Sequence, residues 1–291
     1  MEPKRDHIAV CICTYKRSRL LSRLLSELQN QITDNLFTYS IVVVDNDHTQ
    51  SAKSTVASFK ENSLIDIDYY IEPEQNIALA KNKAVHNSKG NFVAFIDDDE
   101  FPDNRWLLNL YKTLNNYNVD GVLGPVKPYF ETEPPQWIIK GKLCERPSHK
   151  SGSALRWSDT CTGNVLLSMD IFNKEENKFN PDFGRTGGED VDFFRRMIEK
   201  DHVFVWCEEA PVYETVPPER FKRAYFLKRA LLRGVVNSRH MSFISFDTLK
   251  SVVAFVLYTS ALPIFLLSGH HLFMKYLIKN CDHIGKLLSI C

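Results

Sequence analysis

Phe92-Val93-Ala94-Phe95-Ile96-Asp97-Asp98-Asp99-Glu100 is the stretch on which the reading of this chain turns. Its first five residues carry no charge and read as a buried strand, and its last four are all carboxylates. Hard oxygen donors gathered at one strand end repel one another unless a cation such as Mg²⁺ or Mn²⁺ sits among them. A cation held there also takes the phosphate oxygens of a ligand. The plainer reading is a solvated acidic strand-to-helix loop in which Asp103 caps the next helix. The sequence on either side decides between the two.

Upstream the rhythm of strand then helix recurs. Residues 8–13 read as a buried strand, followed by a basic turn, Lys16-Arg17-Ser18-Arg19, and a helix on which Leu20, Leu21, Leu24, Leu25 and Leu28 recur at three and four residues. Ile41-Val42-Val43-Val44 ends at Asp45-Asn46-Asp47, helix-like sequence follows, residues 67–71 form a third strand, and a helix over 78–87 leads into the Phe92 strand. Continuous β-branched strands alternating with helices imply a parallel sheet covered on both faces. Such sheets bind ligands beyond the carboxyl ends of their strands, where Asp45 and Asp97 both fall.

After Gly121 the rhythm breaks. Pro125, Pro128, Pro134 and Pro135, with Tyr129, Phe130, Trp137 and Trp157, describe a loop-rich stretch whose aromatic faces either pack internally or wall a sugar pocket. Phe183-Gly184-Arg185-Thr186-Gly187-Gly188 then opens onto Glu189-Asp190 and a helix bearing Phe193, Phe194, Met197 and Ile198. Acids in a first helical turn also serve as ordinary partners of the helix dipole, so both uses stay open for this pair.

Composition narrows the class. With 44% apolar residues in 291 the chain has ample material for a globular core, and thirty-six acidic residues balance thirty-six basic ones. No global field recruits nucleic acid, so no nucleic-acid partner is expected. Seven cysteines without a C-x-x-C pair suit a reduced protein, and the charged residues 1–6 lack the apolar core of a secretory signal.

Two chemistries compete for the acids. Val42-Val43-Val44-Asp45-Asn46-Asp47-His48-Thr49 fits the D-x-D-x-T of haloacid-dehalogenase-like phosphatases, with Asp45 as nucleophile and Asp47 as acid. That family opens its sheet at this strand, whereas here a whole strand precedes it and Glu189-Asp190 is left without a role. The other reading uses every feature. Thr14-Tyr15 after the first strand, Asp45 after the second, Asp97-x-Asp99 after the fourth and Gly188-Glu189-Asp190 before a late helix together resemble family 2 glycosyltransferases of the GT-A fold. Gln75-Asn76-Ile77-Ala78-Leu79-Ala80, Phe95-Ile96-Asp97-Asp98-Asp99-Glu100, Gly121-Val122-Leu123-Gly124-Pro125-Val126, Thr162-Gly163-Asn164-Val165-Leu166 and the stretch 187–196 are similar to the succinoglycan-type exopolysaccharide glucosyltransferases. The resemblance covers roughly residues 7–235.

The resemblance implies an α/β, Rossmann-like nucleotide-diphospho-sugar transferase with a mixed, mainly parallel sheet and helices on both faces. It implies a divalent cation, Mn²⁺ or Mg²⁺, at Asp99 with Asp97 sharing the metal or binding the ribose. Thr14, Tyr15, Asp45 and Lys81 would line the donor site, and Asp190 would take the proton from an acceptor hydroxyl so that the anomeric centre is inverted. The implied donor is a UDP-sugar, glucose or a related hexose, and the implied acceptor a lipid-linked glycan in exopolysaccharide or O-antigen synthesis at the cytoplasmic face of a bacterial inner membrane. Lys81-Asn82 stands where many relatives have arginine-asparagine, which loses the guanidinium fork. The Q-x-x-R-W signature of processive synthases is missing, so transfer of one sugar is expected; Arg223, Arg229 and Arg233 serve either as a diphosphate clamp or as a solvated face. A degenerate, non-catalytic GT-A scaffold is the third reading.

The expected division is a catalytic domain over 1–240 and a membrane-associating helical region over 241–291. Residues 251–268 carry no formal charge. Ten strongly apolar residues there contribute about −3 to −6 kcal/mol to insertion, against which Pro263 and the hydroxyls push back. Spanning, in-plane insertion and a buried soluble helix all remain open.

Overall fold

A computed structural model describes residues 5–238 and 246–288. The chain divides into two compact units, Met1–Lys127 with Arg146–Glu214, and Pro128–Glu145 with Thr215–Cys291. The boundary expected between residues 240 and 241 lies outside the described residues.

The elements run β1 (Asp6–Thr14), α1 (Ser18–Leu28), β2 (Phe37–Asp45), α2 (Lys53–Asn62), β3 (Ile67–Ile71), α3 (Ile77–Asn87), β4 (Phe92–Ile96), β5 (Glu100–Pro102), α4 (Trp106–Tyr117), β6 (Gly121–Leu123), β7 (Val126–Tyr129) and α5 (Gln136–Gly141). They continue through β8 (Asn164–Ser168), α6 (Glu189–Glu199), β9 (Phe204–Trp206), β10 (Val212–Thr215), α7 (Arg223–Ser238), α8 (Phe246–Ser268) and α9 (His270–Leu288).

The first unit is built on a seven-stranded sheet of order β3-β2-β1-β4-β8-β6-β9. Pairings β1/β2, β1/β4, β2/β3 and β6/β9 are parallel, while β8 runs antiparallel to β4 and β6. Alternation along β1 sends Ile8, Val10 and Ile12 to one face, with the α1 leucines and Trp106, Leu107 and Leu110 of α4. Ala9 and Cys11 face the other side, among Ala78, Ala80 and Ala84 of α3 and Phe193, Phe194 and Met197 of α6. Four of the five leucines expected to form the stripe on α1, Leu21, Leu24, Leu25 and Leu28, are fully buried, each worth about 1.5–3 kcal/mol of transfer free energy, while Leu20 is only half-buried. Helices thus cover both faces of a mainly parallel sheet, as expected.

Register places the acids. Thr14 pairs with Asp45, and Cys11 with Phe95. Continuing the second register by three residues sets Thr14 beside Asp98, so the carboxylates leave β4 against the exit of β1. Asp103 does not cap α4 with its side chain: the cap is Arg105, whose side chain makes no capping bond, and the Leu107 N–H of the first turn donates to Gln31 Oε1 at 3.2 Å.

In the second unit α9 packs along both α7 and α8. Trp137 of α5 packs edge-on against Phe226 of α7 and His270 of α9, so its ring is used internally rather than on a sugar. Gly234 and Gly285 mark the closest crossing: a Cβ on Gly234 would fall 2.9 Å from the Gly285 Cα. Arg233 donates to Asp282 at 2.7 Å beside this crossing.

Candidate active site

The first strand end closes onto the acidic run. The Thr14 hydroxyl donates to Asp98 Oδ2 at 2.8 Å, and Arg17 Nη1 donates to Asp98 Oδ1 at 2.7 Å and to Asp99 Oδ2 at 3.2 Å. Burial raises the Asp98 pKa, and Arg17 and the Thr14 hydroxyl oppose it. Arg17 sits in the basic turn that the sequence shows only as a turn; its service to the acids follows from β1 and β4 being neighbours. Tyr15, next along, is open to solvent with Lys16 Nζ 5.1 Å from its ring centre.

Asp97 reaches solvent yet is closely surrounded. Desolvation first, then Asp99 and Asp98, raises its pKa to about 7 against the pull of Lys81 and Arg146. Behind it lies Glu100, which is buried and accepts the Asp97 backbone N–H at 3.2 Å through Oε2, while Oε1 has no hydrogen-bond partner among the described residues. Burial and then Asp97 hold the Glu100 carboxyl well above the usual carboxylate range. Arg146, bonded to Glu214 at 2.6 Å, is the cation that faces this group. No local motif pointed to Arg146 or Glu214; Glu214 arrives because β10 pairs with β5, with Glu214 opposite Glu100.

The late acids enter from α6. Gly188 at the helix cap has φ 99° and Gly187 before it φ 79°, a left-handed pair that glycine adopts without strain and that turns the chain sharply into the helix. Glu189, Asp190 and Asp192 occupy the first turn, where the helix dipole favours negative charge. They go three ways. Glu189 Oε1 accepts from Lys81 Nζ at 2.6 Å, and Asp192 pairs with Arg196 at 2.8 Å. Asp190 remains partly open, with Oδ1 accepting the Val191 N–H at 2.8 Å. Burial raises the Asp190 pKa, with Lys81 opposing and Glu189 adding to the rise.

Lys81 joins the two groups of acids. It is buried on α3, with Nζ donating to Thr162 Oγ1 and to Glu189, both at 2.6 Å. Burial opposes its charge, but Glu189, Asp190 and Asp97 together raise its pKa above the ordinary lysine value. Two of its three N–H groups are thus spent inside the protein, which the sequence, reading it as a donor-site contact, does not reveal.

Asp45 lies at the end of β2, as its place in the sequence implies. It is fully buried, and its carboxylate accepts from Asp47 N at 3.1 Å, Ala52 N at 2.7 Å and the Tyr69 hydroxyl at 2.9 Å. Asp47 is closed onto Thr49 in the same loop. Neither carboxylate is presented as the nucleophile that a phosphatase of the D-x-D-x-T type needs. Asp45 braces the loop after β2 from beneath.

Among the described residues no three His, Cys, Asp or Glu side chains form a ready cage for a metal. Magnesium-type ions are commonly held by one or two carboxylates completed by substrate phosphates. Asp97, whose pKa is raised first by desolvation and then by Asp99 and Asp98, and the buried Glu100 oxygen without a donor among the described residues are features that a hard cation at Asp97 and Asp99 fits.

Comparison with known proteins gives a consistent picture. The family described as Glycosyl transferase family 2 matches residues 9–175. The succinoglycan biosynthesis protein ExoM of Rhizobium meliloti (strain 1021) is 32% identical over 233 residues, covering 80% of this chain and 74% of ExoM. Chondroitin synthase of Pasteurella multocida (strain Pm70) is 27% identical over 248 residues, 74% of this chain but only 25% of that enzyme. Among solved structures, S. aureus TarS 1–349 in complex with UDP superposes with a TM-score of 0.56 at 15% identity, covering 98% of this chain and 90% of that one, and the same fragment in complex with UDP-GlcNAc gives 0.56 at 14%.

Proposed function

The chain belongs to glycosyl transferase family 2 and is a glycosyltransferase of the GT-A fold; from that premise we propose that it moves one hexose from a UDP-sugar to a lipid-linked oligosaccharide, with inversion, in the synthesis of a bacterial exopolysaccharide or O-antigen. The printed names of ExoM and chondroitin synthase support polysaccharide synthesis, and the UDP and UDP-GlcNAc complexes of TarS support the donor. The observation that carries the reading is Asp190: an acid of raised pKa, partly open, in the same electrostatic group as Lys81 and Asp97.

Asp190 takes the proton from an acceptor hydroxyl as its oxygen attacks the anomeric carbon, and the bond to the UDP oxygen breaks on the opposite face. One carboxylate base suffices for this single displacement, where glycoside hydrolases need two. Lys81 holds Glu189 aside through the bond at 2.6 Å, and its charge offsets the effect of Glu189 on Asp190. Asp99 and Asp97 would hold Mn²⁺ or Mg²⁺, which neutralises charge developing on the diphosphate leaving group. Thr14 and Arg17 fix Asp98 and so set the angle of its neighbours, Tyr15 offers an open ring at the nucleoside side, and Asp45 shapes the same pocket by bracing the loop after β2. In this proposal the catalytic machinery lies within residues 1–240, of which α7 packs with the C-terminal helix α9. Residues 241–291 attach it to the cytoplasmic face of the inner membrane, where lipid-linked acceptors are found.

A panel of UDP-, GDP- and dTDP-sugars, with a membrane extract as acceptor, tests the proposal. Transfer from a UDP-sugar into lipid-extractable material is expected, and none from any UDP-sugar would overturn the donor assignment.

A further inference from the structure

Resting on the membrane-attached reading above but not on which sugar is moved, we propose that the second unit seats in the plane of an anionic bilayer surface, with α8 lying along the hydrocarbon boundary rather than crossing it. By length and composition α8 is able to cross: it has 23 residues, a mean hydropathy of 2.0 over its most apolar window, and 6% of that window buried. What decides its placement is packing.

The helices of this unit run side by side. Phe265 of α8 stacks on Tyr276 of α9 at 3.9 Å and Thr259 accepts from Asn280 at 3.0 Å, so these two are antiparallel along most of their length. At its other side α9 meets α7 at Gly234 and Gly285 and through Arg233 and Asp282. Its first residue, His270, rests on Trp137 of α5. A bilayer-spanning α8 would therefore either carry α7 and α9 into the hydrocarbon or tear away from them. Neither neighbour suits that core: α7 exposes Lys228, Arg229 and Arg233, and α9 exposes Lys279. Arg233 is paired with Asp282 at 2.7 Å, but the exposed ammonium and guanidinium groups of Lys228, Arg229 and Lys279 would each be costly in hydrocarbon.

The face of α8 turned away from α9 is apolar. Phe246, Leu249, Val253, Leu257, Ile264 and Leu267 are between 49% and 90% exposed, far more contiguous apolar surface than a soluble helix leaves uncovered. The charges around it identify the occupant. α7 carries Arg223, Lys228, Arg229 and Arg233 without one acidic residue, and Lys222 precedes it, in a chain whose total formal charge is zero. A bilayer bearing anionic headgroups matches both features, an apolar layer for α8 and negative charge for the basic helix. A second copy apposed through the same face would instead bring like charges together.

The test uses the full-length protein in vesicle flotation, with phosphatidylcholine alone or with phosphatidylglycerol, and a fusion of alkaline phosphatase to its C-terminus in bacterial cells. Expected are flotation that requires phosphatidylglycerol and weakens with salt, and an inactive phosphatase. The double substitution Val253→Glu/Leu257→Glu should weaken binding at least about tenfold with no loss of melting temperature, because both side chains already face outward. An active C-terminal phosphatase would establish crossing and overturn the proposal. So would a dimer that the double substitution dissociates while vesicle binding is absent. None of these readouts uses sugar transfer, so failure of the donor or acceptor assignment is separately visible.

Discussion

Replacing Asp190 with asparagine separates chemistry from helix stabilisation. The cap of α6 is Gly188, and no side chain bonds to the cap position. Asparagine retains an Oδ1 for the Val191 N–H that Asp190 now bonds. What is lost is one charge near the helix N-terminus, worth about 0.3–1 kcal/mol, and part of that returns because the like charge of Glu189 no longer adds to the cost of ionising its neighbour. The melting temperature should therefore move by at most about 4 °C. Loss of a positioned general base costs about 10² to 10⁴ in rate, or about 2.7 to 5.4 kcal/mol of transition-state stabilisation. Asp190→Asn should keep its UDP affinity, measured by calorimetry, and lose at least about a hundredfold in kcat for transfer of a radiolabelled sugar. The pH profile carries an independent sign: the base must be ionised, so wild-type activity should fall on the acid side at a pH above the ordinary aspartate value, because burial raises this carboxyl. Turnover within a few-fold of wild type would refute the assignment and move the base to Glu189 and then Asp192.

Chelation should abolish activity, with Mn²⁺ or Mg²⁺ restoring it, and Asp99→Ala should weaken metal-dependent UDP binding as well as turnover; full activity in excess EDTA would exclude the metal role. Cation affinity should fall as pH drops through about 7, since the ion binds the ionised form of Asp97 and protonation competes below that value; calorimetry at pH on either side reads this directly. Lys81→Met leaves Glu189 buried without its partner and should cost about 3–5 kcal/mol in denaturant unfolding, with Lys81→Met/Glu189→Gln recovering part of the loss; a silent single substitution would show that this pair does not organise the site. Asp192→Asn breaks the pair with Arg196 on the outer side of α6 and should leave kcat unchanged.

The parts of the fold that were legible are those where one local pattern has one physical solution. Uncharged β-branched runs became β1, β2 and β4, and the leucine period became the buried face of α1, because each pattern has a single way to leave water. Two residues of positive φ before Glu189 agree with Gly187-Gly188, since only glycine takes that conformation freely. Residue roles were less legible because they depend on which side chains meet from distant elements. Lys81 reads as a donor contact until α6 brings Glu189 to within 2.6 Å of it. Asp45 reads as a donor-site acid, and that two backbone amides and the Tyr69 hydroxyl bond its carboxylate follows only from the folding of the loop after β2. Arg17 and Asp98 meet through a parallel register, and Arg146 faces Glu100 through a strand pairing more than a hundred residues apart in sequence, which no spacing rule encodes. The apolar run in α8 was legible as hydrophobic, but its neighbours α7 and α9, which argue for its orientation, were not.

The most direct test of transfer with inversion is product analysis: mass spectrometry and NMR of the lipid-linked acceptor after incubation with an α-linked UDP-hexose and Mn²⁺. The account predicts a gain of one hexose in a β linkage, with UDP released in equal amount and both products absent for Asp190→Asn. An α-linked product, a run of added sugars, or equal yield from Asp190→Asn would contradict it.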